Sequence, residues 1–112
     1  MTKFDAYHKM KELLTNYYVE AKTTKVKPIA WITSGAPVEF LYAMDILPVY
    51  PENYAAMCAA NHQSIELMES AEADGFSQDI CAYARTDFGA DITQGGPAAG
   101  LPAPHFLLCS TN

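Results

Sequence analysis

The chain has 112 residues, 50% of them apolar and 18% charged, with a formal net charge of −6. That length supports one hydrophobic core, and the apolar content with seven Tyr and five Phe excludes a disordered chain. No apolar run approaches the ~20 residues of a membrane span. The start, Met1 to Lys9, lacks the apolar stretch of a signal peptide, so the cytoplasm is the expected compartment. Charge is uneven: Lys3, Lys9, Lys11, Lys22, Lys25 and Lys27 against Asp5, Glu12 and Glu20 make residues 1–27 +3, and residues 28–112 carry −9. An acidic body lacks the basic footprint of a nucleic-acid binder, and the basic segment is read as a solvated helix face.

Residues 2–22 read as an amphipathic helix. Tyr7, Met10, Leu14, Tyr17 and Ala21 form one stripe, Leu13 and Tyr18 widen it, and Thr2 with Asp5 makes a weak capping box. Pro28 stops it. Residues 29–33 read as a buried strand. A turn at Ser34 and Gly35 leads to a helix from Pro37 to about Asp45, with Phe40, Leu41 and Met44 facing inward. Residues 47–50 look like a second strand, in which Pro48 disfavours an interior sheet position. Strand, helix, strand implies a parallel sheet. Helices follow at 53–60 and 64–73. The second has Ile65, Met68 and Ala71 on one face and Gly75 as its C-terminal cap. A further helix is expected from an N-cap at Ser77, with Ile80, Ala84 and Phe88 as its stripe and Gly89 as its end. Residues 93–104, rich in Gly and Pro, form a loop without a phosphate-binding pattern. Residues 105–109 read as a third, buried strand. The expected organisation is an N-terminal helix and linker, 1–27, and an incomplete α/β domain, 28–112.

Three cysteines without a CxxC pattern point to reduced thiols, core residues or a metal site. A cap at Ser77 would put Cys81 at the end of a helical first turn, where the helix dipole favours a thiolate. Cys81 is therefore either a metal ligand or a small buried residue. Cys58 and Cys109 are read as core cysteines, and His62 and His105 as surface or loop residues. Ser34 and Glu52 each follow a short strand, and the carboxyl ends of parallel strands line ligand crevices. From the residues alone the favoured readings are a turn or cap residue for Ser34 and a solvated carboxylate for Glu52.

Four blocks occur in order: Ser34-Gly-Ala-Pro-Val-Glu-Phe40, Ile46-Leu-Pro-Val-Tyr-Pro-Glu-Asn53, Gly75-Phe-Ser-Gln-Asp-Ile-Cys-Ala-Tyr-Ala-Arg85 and Pro102-Ala-Pro-His-Phe-Leu-Leu108. Together they resemble the 2-hydroxyacyl-CoA dehydratase / benzoyl-CoA reductase family, and the last block leans toward the reductase type. The resemblance covers about residues 28–112. It implies flavodoxin-like parallel sheets and a homologous second subunit. It also implies a 4Fe-4S cluster held by three cysteines and an ATP-dependent iron–sulfur activator protein that supplies one electron. The substrate is then an acyl-CoA, dehydrated through a ketyl radical or reduced in its aromatic ring.

Within that resemblance Cys81 matches the first cluster ligand. Cys109 matches none. The second ligand is expected at the second residue after Asn112, and the third much later. Ser34 and Glu52 match positions that contact the substrate and move protons in the substrate-binding dehydratase subunit. Family members are several times longer, so the chain is expected to be the N-terminal part of one subunit. The competing expectations are a catalytically inactive, truncated α/β module that needs a partner chain, and a free-standing flavodoxin-like binding module.

Overall fold

The computed structural model describes residues 3–111. Helix α1 (Lys3–Thr23) leads into strand β1 (Ile29–Ile32), helix α2 (Val38–Ala43) and strand β2 (Leu47–Val49). Helices α3 (Pro51–Ala60), α4 (Ser64–Ala73) and α5 (Ala82–Thr93) follow, then a 3₁₀ turn (Pro97–Ala99) and strand β3 (Phe106–Leu108). The three strands form an open, all-parallel sheet in the order β2-β1-β3. The fold is α/β, as expected from the strand–helix–strand pattern.

Strand β1 is central and its side chains alternate between two cores. Ile29 and Trp31 pack with Tyr18, Ala21, Tyr54, Cys58, Leu67 and Ala90. Ala30 and Ile32 pack on the other face with Ala36, Leu41 and Ile46. Helices therefore cover both faces of the sheet, as parallel strands require. Pro48 lies on edge strand β2, a position its missing N–H tolerates.

Several expectations are corrected. The stripe on α1 is only half used. Tyr18 and Ala21 are buried, but Tyr7, Met10 and Leu14 are exposed and border an open groove of about 900 Å³ with Met57 and Pro97. The sheet and α3 reach only the last turns of α1. Thr2 of the expected capping box lies outside the described residues.

Helix α2 is too short for three inward positions: Leu41 is buried, while Phe40 and Met44 are exposed. Asp45, at φ 53°, turns the chain into β2. On α4 the inward residues are Leu67 and Ala71; Ile65 faces out. Gly75 does terminate α4, with φ 107° and its N–H donating to Glu72 O.

Strand β3 is exposed at Phe106 and Leu107 rather than buried, because it forms the other sheet edge. Helix α5 starts later than a Ser77 cap requires, at Ala82. Ser77 instead closes a turn, its Oγ accepting from Asp79 N at 3.1 Å. Gly89 does not end α5, which runs on to Thr93. A Cβ at Gly89 would lie 1.8 Å from Leu67 O, so the glycine is the point where α5 presses on α4.

Candidate functional site

The carboxyl ends of the three strands meet at one edge of the sheet. After β1 the chain turns through Ser34, with Ala36 N donating to Thr33 O at 3.0 Å. After β2 it enters α3 directly. Pro51 occupies the first helical turn, where its fixed φ suits the helix, and Glu52 follows it. The parallel pairing of β1 and β2 brings these two segments side by side, and Ser34 Oγ donates a hydrogen bond to Glu52 Oε2. Both side chains are exposed.

Glu52 also lines a small apolar pocket of about 130 Å³ with Trp31, Ile32, Thr33, Leu108 and Cys109. The pocket holds only a few atoms, far less than a whole ligand site of ~300 Å³ or more. Thr33 N donates to Leu108 O at 3.2 Å and ties its walls together. Cys109 is exposed at this edge, not a core residue. Cys58 is the core cysteine, fully buried, the pKa of its thiol pushed up to about 11 by burial first and then by the nearby Asp87.

Cys81 stands elsewhere, at the N-cap of α5, and is not among the residues lining this pocket. Its thiol is free and exposed, which excludes the packing role. The turn that presents it is held by Arg85, through both its side chain and its backbone. Arg85 Nε donates to Ile80 O at 3.0 Å, and Arg85 N donates to Cys81 O at 3.0 Å. The Arg85 guanidinium pairs with Glu72 on α4, which also accepts from Gln78 Nε2 at 2.9 Å.

Among the described residues no group of three His, Cys, Asp or Glu side chains is arranged to hold a metal ion. Cys81 is chemically suited to be one thiolate ligand, but one thiolate does not hold an iron–sulfur cubane. The described residues thus do not by themselves fit a cluster, and no step of the chemistry is routed through one.

Sequence reasoning missed a buried carboxyl behind this edge. Asp87, on α5, is 6% exposed, and its acidity is weakened to a pKa of about 8 by burial first and by Glu52 second. Its only sequence signal is a charge beside a run of small and apolar residues, Phe88 to Ala90. Tyr18 and Tyr54 beside it are also pushed up, chiefly by burial.

An α/β sheet with a polar pair at its carboxyl edge defines a class of ligand-binding domains, not one activity. The family model described as 2-hydroxyglutaryl-CoA dehydratase, D-component, matches residues 33–112, and the chain belongs to that family. It is 46% identical over 103 residues to the (R)-2-hydroxyisocaproyl-CoA dehydratase alpha subunit of Clostridioides difficile, covering 90% of this chain and 25% of that protein. It is 37% identical over 94 residues to the (R)-phenyllactyl-CoA dehydratase alpha subunit of Clostridium sporogenes, covering 84% and 23%. A benzoyl-CoA reductase subunit of Thauera aromatica is more distant, 29% identical over 109 residues, covering 91% and 25%. The chain spans about a quarter of the length of these relatives. No helix among the described residues is long and apolar enough to cross a membrane.

Proposed function

We propose that this chain is part of the substrate-binding subunit of a 2-hydroxyacyl-CoA dehydratase, and that Ser34 and Glu52 are its proton-moving pair. The observation that carries this reading is the Ser34–Glu52 hydrogen bond at the carboxyl ends of adjacent parallel strands. A serine hydroxyl at this edge can turn its hydrogen bond to a thioester carbonyl oxygen as negative charge gathers there. The carboxylate it leaves is free to act as acid or base at the substrate's hydroxyl. Loss of water breaks the C2–O bond and removes one proton from the neighbouring carbon, leaving an unsaturated thioester. Dehydration is favoured over ring reduction because the dehydratase alpha subunits are the more similar relatives.

The same reading assigns Cys81 as one ligand of a 4Fe-4S cluster completed by cysteines outside this chain. It includes a homologous partner subunit, an ATP-dependent iron–sulfur activator and a cytoplasmic location. The relatives are themselves named as subunits, which supports a partner.

The test is turnover by the full-length subunit, assembled anaerobically with its partner and activator on 2-hydroxyacyl-CoA thioesters and on benzoyl-CoA. Glu52→Gln is expected to lower kcat by roughly 10²–10⁴-fold on the dehydratase substrate. Turnover at the unaltered rate overturns the assignment. Ring reduction without dehydration overturns the choice of reaction.

A further inference from the structure

Trp31 of β1 and Leu107 of β3 are register partners, so their side chains stand on one face of the sheet, the face that α3 covers. Pro51 and Glu52 open α3 beside them, and these four residues wall the small pocket at the carboxyl edge. The walls are held from behind. Trp31 Nε1 donates to Pro102 O at 2.9 Å, which sets the indole ring and uses up its only donor. Ile29 N donates to His105 Nδ1 at 3.0 Å and His105 N donates to Ile29 O at 2.8 Å, so β3 is pinned to β1 just before it begins. Leu107 lines the pocket and is still 70% exposed, so its apolar surface is open to a ligand. Among the described residues the lining holds one charged side chain, Glu52, and no cation. A cavity of about 150 Å³ lined by Leu, Ile and Phe holds benzene. At about 130 Å³ this pocket has room for roughly four or five carbons.

We propose that this pocket receives the side chain of the 2-hydroxyacyl group, and that Trp31, Leu107 and Glu52 select an uncharged side chain of about four or five carbons over a methyl group or a chain ending in a carboxylate. The inference rests on the reading of Ser34 and Glu52 as the pair at the reacting carbons. Glu52 belongs both to that pair and to the pocket wall, so a thioester held at the pair has its side chain at the pocket. Each methylene that enters leaves water for an apolar wall, which favours longer chains until the space is full. A methyl group leaves most of the space empty and forfeits those contacts. A terminal carboxylate loses its water, finds no cation and faces the Glu52 carboxylate. The coenzyme A moiety is far larger than the pocket and stays outside it.

Isothermal titration calorimetry tests this on the full-length subunit assembled anaerobically with its partner, without activator or reductant, so that no turnover intervenes. The probes are 2-hydroxyacyl-CoA thioesters with a methyl, an isobutyl or a 2-carboxyethyl side chain. The isobutyl thioester is expected to bind at least about tenfold more tightly than either of the others. Leu107→Trp fills the pocket from its exposed edge and is expected to cut that preference to about threefold or less. Leu107→Ala strips one wall and lowers the preference as well, by a factor of roughly two to five. Phe106→Trp, on the opposite face of the same strand, leaves it in place. Equal affinity for the three thioesters, tightest binding of the carboxyethyl one, or a preference that neither Leu107 variant moves overturns the proposal. Binding of none of the three overturns the reading of the site together with this inference. Unaltered turnover in Glu52→Gln overturns the proton-moving role alone and is seen separately from the binding preference.

Discussion

Ser34 and Glu52 share with Cys81 a place at the end of an element, but the pair already meets and Cys81 stands alone. Backbone topology explains the difference. Two neighbouring parallel strands deliver Ser34 and Glu52 to the same edge, so their contact follows from pairing register alone. Cys81 is presented by a turn between two helices, which fixes its position, and among the described residues it belongs to no group of three metal-ligating side chains. A strand-end pair is assembled by a single βαβ unit; a side chain on a turn between helices is not brought to a partner by strand pairing. The α4–α5 hairpin behind Cys81 and the α3–α5 contact behind Glu52 are therefore the places where mutation separates the two regions.

The largest effect is expected at Gly89. A methyl group there meets the Leu67 carbonyl at 1.8 Å, and backbone on both sides leaves no flexible atom to yield. Gly89→Ala is expected to push α5 off α4 and destabilise the chain by about 3 kcal/mol or more. The urea midpoint reads this. An unshifted midpoint would show that the hairpin is not a rigid frame for Cys81.

Asp87 gives a smaller effect of opposite sign near neutral pH. Folded, it keeps its proton to about pH 8; unfolded, it loses it near the ordinary aspartate value of 3.8. Between these values the folded state binds more protons, so stability is fullest below about pH 4 and declines as pH rises toward 8. Asp87→Asn removes that decline. It is expected to be on the order of 2–4 kcal/mol more stable than the parent chain at pH 7.5, with little difference at pH 4. Equal differences at both pH values would mean that Asp87 is already ionised in the fold.

These two residues also mark where the sequence is legible and where it is not. The strand–helix–strand order, the parallel sheet, α4 with its Gly75 cap and the edge position of Pro48 are all readable, because each rests on local pattern. Ser34 and Glu52 are readable as strand-end residues, though not as bonded partners. Ser77 resembles a helix cap because it does accept a backbone N–H, but that bond closes a turn and α5 begins only at Ala82. Gly89 resembles a helix end because nothing local distinguishes a terminating glycine from one crushed against a neighbouring helix. The exposed front of α1 and the exposed β3 depend on what packs against them, which hydrophobic spacing does not encode. The burial of Asp87 is tertiary in the same way: it is made by α1 and α3, both distant from it in the chain.

The smallest effect belongs to the turn itself. Glu72 joins the Arg85 guanidinium to Gln78, and Arg85 in turn holds the carbonyls of Ile80 and Cys81. The Glu72 and Arg85 side chains are only 22% and 17% exposed, so the pair exceeds an ordinary surface ion pair in persistence, though not greatly in energy. Glu72→Gln keeps the shape and the Gln78 contact but removes the charge, at an expected cost of about 1 kcal/mol. Its more informative readout is Cys81. If the clamp holds the turn, loosening it speeds alkylation of the Cys81 thiol, while Cys109 at the carboxyl edge of the sheet reacts at its original rate. Equal change at both cysteines would mean that the chain has loosened as a whole. No change at either would mean that the backbone bonds at Ser77 and Arg85 fix the turn without the ion pair.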